Sequence, residues 1–272
     1  MRIQINQRED SPSMGYEIDF IPVGEGEKNG DAIAMRITEN GKTEIYVIDG
    51  GTKASGEALV QHVRYYYGTD RVDYLISTHP DMDHISGLKV VLEELEVGEL
   101  WMHKPWEHAS KIINDILDGR VTQHSLSERI KESVRLATDV EKMAKEKKVK
   151  VCEPFQGAKI GSYFHVLSPS KEWYNIELLK NFDKMPPTKS TPMLECQAFA
   201  SSTDDTAYED WYNETLKEDG ETSARNESSV VLLGILPDGY GVLLTGDAGI
   251  QALTKAYKYA LSHRYNLQQC QF

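Results

Sequence analysis

The sequence predicts an α/β layered fold, with mixed sheets flanked by helices. Apolar runs of strand length alternate with segments of helical period along most of the chain, the pattern of βαβ units. Asn40-Gly41 between two of these runs marks a hairpin, so the sheets are mixed and not purely parallel. The composition suits a large core: 272 residues, 40% hydrophobic and 27% charged, an ordinary globular balance. A single domain over residues 1–272 is expected.

The elements follow in order. Tyr16 to Val23 alternates polar and apolar residues, the period of a half-buried strand, and a charged loop with Gly24, Gly26 and Gly30 follows. Ala32 to Thr38 and Thr43 to Ile48 form the hairpin strands, and the second ends in Asp49-Gly50-Gly51. Ser55 opens a helix with Leu59, Val60 and Val63 on one face and Gly68 past its end. Val72 to Ser77 reads as a buried strand that runs into Thr78-His79-Pro80-Asp81-Met82-Asp83-His84. A helix from about Ser86 and a short strand, Glu99 to Met102, come next. Ser125 to Lys148 reads as one long amphipathic helix, with Ser125-Leu126-Ser127-Glu128 as its capping box. Strands are expected near Val149–Cys152 and Tyr163–Leu167. Residues 168–225 are polar, Pro-bearing and weakly periodic, an insertion with at most short helices. Ser228 to Leu236 and Gly241 to Thr245 are strands around a Pro237-Asp238-Gly239 turn, and a last helix spans about Gly249 to Ser262.

Composition also excludes. No stretch approaches the roughly 20 apolar residues of a membrane helix, and Met1 to Asp10 holds no apolar signal core. Cys152, Cys196 and Cys270 are dispersed and odd in number, which fits no disulfide framework and suits a cytoplasmic location. Thirty Lys+Arg against 43 Asp+Glu give a net charge of −13, opposite to a protein that holds DNA through phosphate contacts alone. A metal site can still carry a positive field locally. Much of the acid lies between Asp204 and Glu227, a surface suited to a protein partner.

His79-Pro80-Asp81-Met82-Asp83-His84 is the sharpest chemical signal. Four side chains able to bind metal lie within six residues, directly after an apolar strand. Imidazole together with carboxylate suits zinc, manganese or iron. Tyr46 to Gly51 and Val242 to Asp247 share a second form, an apolar strand ending in Asp beside Gly. An ionised carboxylate at a buried strand end is costly unless it is paired or metal-bound. Asp49 and Asp247 therefore join the candidate site, and His103, which also follows a strand, is a candidate to face the cleft.

These residues resemble the metallo-β-lactamase superfamily. His79 to His84 is similar to its HxHxDH signature, with Asp81 where His is commoner. Asp49-Gly50-Gly51 resembles its first motif and Thr245-Gly246-Asp247 its metal-bridging aspartate motif. The detail is most similar to the soluble domain of ComEC-type DNA-uptake proteins, in which Gly30-Asp31-Ala32 and Asn226-Glu227-Ser228-Ser229-Val230 have counterparts. The resemblance spans about residues 16 to 262, interrupted over 104–225.

It implies an αββα sandwich and metal-assisted hydrolysis with one or two divalent ions, zinc or manganese. His79 and Asp81 would help hold one metal, Asp83 and His84 the other, and Asp247 would bridge. Asp83 is the implied catalytic residue, and Asp49 would orient a ligand. Asn226 in the third-His position is a weak ligand. The chain stops at Phe272, where the family's last His-bearing strand would begin. An incomplete C-terminal part and fewer than two tightly held metals are therefore expected. The implied substrate is a phosphodiester, nucleic acid included. Small esters, lactones or amides on the same site, or a metal- or partner-binding module with little turnover, are the alternatives.

Overall fold

The computed structural model describes residues 2–4, 14–24, 30–183, 185–189, 222–267 and 270. Cys196 and the acidic stretch from Asp204 through 221 lie outside them, as does most of the insertion.

The chain runs β1 (Arg2–Gln4), β2 (Gly15–Phe20), β3 (Ala32–Glu39), β4 (Lys42–Gly50), α1 (Lys53–His62), β5 (Arg71–Ile76), α2 (Met82–Glu94) and β6 (Glu96–Trp101). It continues through α3 (Ala109–Ile112), α4 (Gln123–Ser133), α5 (Arg135–Glu146), β7 (Lys150–Cys152), β8 (Lys159–Ile160), β9 (Phe164–Ser168) and α6 (Lys171–Trp173). After the insertion come α7 (Ala224–Glu227), β10 (Val231–Ile235), β11 (Gly241–Leu244) and α8 (Ile250–Ser262). Strands β1 to β7 form a seven-stranded sheet in chain order, and a four-stranded sheet has the order β11-β10-β9-β8. The large sheet is antiparallel through the β3–β4 hairpin and parallel from β4 to β7.

Alternation along the strands builds four layers. In β4, Ile45 and Val47 enter the core shared with α1 and α2, while Tyr46 and Ile48 enter the core between the sheets. Both faces of β4 are thus covered, which is why it reads as a nearly continuous apolar run. From the small sheet, Phe164, Val166, Leu232 and Val242 meet Ile18, Met35 and Ile48. Leu167, Val231 and Leu233 face the other way and pack on Ala256 and Ala260 of α8. The architecture is an αββα sandwich, as the sequence predicts.

Local details differ from the sequence reading. The predicted helix over 125–148 is two helices, broken at Val134 with φ −121° and ψ 45°. The capping box closes α4 one turn earlier, between Thr122 and Ser125. Helix α2 starts at Met82 and not near Ser86, with Asp81 as its N-cap. Helix α8 takes its cap from another element: buried Glu227 accepts hydrogen bonds from the Gln251 and Ala252 amides at 3.3 and 2.7 Å, satisfying donors the helix itself cannot.

Candidate metal centre

The site forms where β4, β5 and β11 end. Asp49, the penultimate residue of β4, is fully buried and has φ +53°, a left-handed backbone that Asp tolerates better than most residues. Its Oδ1 accepts from the Thr78 amide at 2.8 Å. Its Oδ2 accepts from the Thr78 hydroxyl and from His84 Nδ1, the latter at 2.9 Å. With the Thr78 proton committed to Asp49, the hydroxyl oxygen faces His79 Nδ1 at 3.0 Å as an acceptor. Both imidazoles therefore carry their proton on Nδ1 toward this Asp49–Thr78 pair. Each turns Nε2 toward the cleft, the tautomer a metal ligand needs.

Both Nε2 atoms are buried without a hydrogen-bond partner among the described residues. His84 Nε2 lies 3.3 Å from Asp247 Oδ1, an ion-pair contact without hydrogen-bond alignment, and His79 Nε2 lies 3.8 Å from Asp247 Oδ2. Asp247 thus presents one oxygen to each histidine. Asp81 Oδ2 is also 3.8 Å from His79 Nε2. Asp31, with His84 and Asp247, offers atoms all within 4.8 Å of one another. Asp49, His79 and His84 satisfy the same distance, but the Asp49 oxygens already accept three hydrogen bonds, so Asp49 acts by orienting. Two orphaned imidazole nitrogens among carboxylate oxygens are a donor set for a divalent transition metal.

Charge sets a cost on that arrangement, because both nitrogens of His84 face carboxylates and a metal would have to displace the proton on its Nε2. Burial pulls the proton affinity of His79 down. Burial acts the same way on His84, but the carboxylates of Asp247 and Asp49 at its two nitrogens win and raise it to about 11. The His84 partner in turn lowers Asp247. Burial, with the charges of Asp49 and Asp247, pushes Asp31 up.

The remaining predicted residues sit as follows. Asp83, in the first turn of α2, is half-buried, joins neither three-residue group and makes no hydrogen bond or ion pair among the described residues. The Asn226 carboxamide oxygen pairs with the Ser223 hydroxyl at 3.0 Å at the cap of α7. Sequence reasoning did not select Asp31 or Arg225 as site residues. The signal for Asp31 was its place beside Gly30 just before β3, where Ala32 pairs with Gly50 at the end of β4. For Arg225 it was a lone arginine next to Asn226 at the end of an acidic stretch. A groove of about 780 Å³ lies at the opposite end of the large sheet. Its Arg36, Lys42 and Arg71 are ion-paired with Glu17, Glu44 and Asp73.

His103 is packed behind the cleft. Its ring packs at a tilt against Phe155 and Tyr174, centroids 4.7 and 4.5 Å away, and neither ring nitrogen has a partner among the described residues. It shares a cavity of about 10 Å³ with Ser77, His79 and Tyr174. Burial lowers its pKa from the ordinary 6.5 to about 3. The unfolded chain takes up this proton below 6.5 while the folded chain refuses it until about 3, so stability is lost as pH falls through that window. At pH 5 the loss from this residue is about 2 kcal/mol. His103→Phe is expected to remove this part of the acid sensitivity. Urea unfolding at pH 7 and pH 5 checks it, and equal losses in parent and variant would refute the assignment.

The fold and site together define a four-layer protein with a candidate His/Asp metal centre at its strand ends. Residues 28–142 match the family model of the metallo-beta-lactamase superfamily. No curated protein sequence matches the chain. Among solved structures, a motif mutant of the metallo-beta-lactamase from Cronobacter sakazakii is similar at 12% identity and TM-score 0.36, over 87% of this chain and 62% of that one. MEM-A1, a subclass B3 metallo-beta-lactamase from a soil metagenome library, is similar at 14% identity and TM-score 0.31, over 56% and 48%. A flavo di-iron protein mutant from Thermotoga maritima is similar at 15% identity and TM-score 0.31, over 69% and 39%. The chain spans less than two thirds of the length of each of these three structures.

Proposed function

We infer that the chain is a metal-dependent hydrolase of phosphodiester bonds, with nucleic acid as the substrate class. The observation that carries this reading is the pair of buried, unpartnered Nε2 atoms facing the two oxygens of Asp247. His79, His84 and Asp247, flanked by Asp81 and Asp31, would hold a divalent ion, zinc or manganese. When bound, such an ion supplies Lewis acidity and a water nucleophile near neutral pH. The chain's own groups do the rest. Asp49 and Thr78 keep both imidazoles in the ligating tautomer. Asp83, free of ion pairs among the described residues, is the group we assign to hold metal or accept the proton of the attacking water. Asn226 is assigned as a weak ligand at most.

The likeness of Gly30-Asp31-Ala32 and of Asn226 to Val230 to segments of ComEC-type proteins supports a nucleic-acid substrate. A cytoplasmic location and a protein partner for the acidic insertion belong to the same proposal. No helix among the described residues is long and apolar enough to cross a membrane.

The test is turnover of single-stranded DNA and bis(4-nitrophenyl) phosphate with added Mn²⁺, beside a panel of lactones and esters. Diester cleavage is expected, with fewer than two equivalents of metal retained after dialysis against a chelator. Asp83→Asn should lose about 10²-fold or more of that activity with an unchanged melting temperature. Lactone turnover without diester cleavage would move the reading to small esters. Absence of bound metal and of all turnover would leave a partner-binding module.

A further inference from the structure

The cleft is lined by carboxylates. Asp31, Asp81 and Asp247 surround the two histidines, and a phosphodiester anion approaching them meets repulsion unless cations are fixed nearby. One such cation is in place. Arg225 reaches from α7 so that its Nη1 lies 3.4 Å from Asp81 Oδ1. The other Asp81 oxygen faces His79, so the guanidinium stands one carboxylate away from a ligating imidazole.

Arg225 is held there from behind. Its Nη2 donates to the Ser133 carbonyl at 3.1 Å. That carbonyl is free because the helix stops at Ser133, before the break at Val134. Asp183 lies 3.7 Å from Nε, which is buried without a hydrogen-bond partner among the described residues. The side chain is only 16% exposed, so most of its rotamer freedom is already spent in the folded protein. Nη1 makes one long contact and keeps donor capacity toward the cleft. A planar, permanently charged fork in this state matches the non-bridging oxygens of a phosphate and gains little from a neutral ester.

We propose that Arg225 is the anion receptor of the site, taking a non-bridging oxygen of the substrate and selecting phosphodiesters over neutral esters and lactones. This deepens the hydrolase reading and rests on it. The test compares parent, Arg225→Lys and Arg225→Ala on bis(4-nitrophenyl) phosphate and on 4-nitrophenyl acetate, which share a leaving group and differ in charge. For Arg225→Ala the ratio of diester to acetate kcat/KM should fall about 10- to 100-fold, the worth of a charged hydrogen bond. The loss should lie mainly in KM, and Arg225→Lys should recover part of it. Lys145→Ala, on an exposed helix face, should leave the ratio unchanged.

Calorimetric titration with inorganic phosphate reads the same residue without turnover. Phosphate binding to the parent that is lost in Arg225→Ala supports the receptor even if neither substrate is cleaved, an outcome that would sink only the hydrolase reading. An unchanged ratio, or equal losses on both substrates, overturns the receptor. So does phosphate binding that is absent or unaffected, or additional metal bound by Arg225→Ala, which would make the guanidinium a stand-in for an ion. Thermal melts of both variants confirm folding.

Discussion

Asp247→Asn is expected to abolish hydrolysis, with a loss of at least about 10²-fold in kcat/KM, and to release metal at the same time. Asp247 presents Oδ1 to His84 and Oδ2 to His79 at 3.3 and 3.8 Å, and the amide cannot reproduce that pair. One oxygen becomes an NH₂ donor, which offers no lone pair to an ion and no negative charge to either imidazole. The swap is nearly isosteric, and Asp247 side-chain exposure is 37%, so the fold should survive. Metal content by elemental analysis and diester turnover are read together, with the melting temperature as control. A variant that keeps both its metal and its rate would show that Asp247 does not bridge.

Gly87→Ala should strongly destabilise the packing of α1 on α2, costing about 3 kcal/mol or more. A Cβ at Gly87 would lie 1.9 Å from the Gly50 carbonyl oxygen and 2.7 Å from the Thr52 carbonyl oxygen. A Cβ on Gly56 would lie 2.6 Å from Gly87 Cα, so α1 and α2 cross backbone against backbone. The Gly87 amide also donates to the Gly51 carbonyl at 3.0 Å. These atoms are main chain and cannot swing aside, so the Asp49-Gly50-Gly51 turn itself must move. Asp49 would then shift from His84 and Thr78, and metal affinity should fall along with stability. Urea unfolding of Gly87→Ala measures the first effect, and a parent-like midpoint would mean that the crossing opens at little cost.

Much of this was legible in the sequence for a simple reason. An apolar run ending in Asp beside Gly is visible without a structure, and two such ends announced Asp49 and Asp247, while a third run leading into the His79–His84 cluster announced His79. The layers were legible because each core strand alternates between two buried faces. Asp83 shows where the reading loses precision. It adjoins His84 in the chain, but both lie in α2, where successive residues point about 100° apart. The His84 ring enters the cluster and the Asp83 carboxylate joins neither ligand group. The break at Val134 is hidden because the apolar period runs on through it, and Val134 is itself buried. Asp31 and Arg225 belong to no motif of their own. They reach the site through pairing of β3 with β4 and through the cap of α7, which are tertiary facts.

The candidate ligands come from both sheets. His79 and His84 follow β5 of the large sheet, whereas Asp247 follows β11 of the small one, and nearby the Val230 amide donates to the Thr78 carbonyl at 3.0 Å. The complete ligand set exists only while the two sheets are docked. A bound ion is therefore a clasp, and its binding energy is also docking energy. At a hundred times its dissociation constant it adds about 2.7 kcal/mol to the closed sandwich. On the proposed reading, loss of metal would do more than silence the chemistry: it would loosen the seam along which the halves of the domain meet.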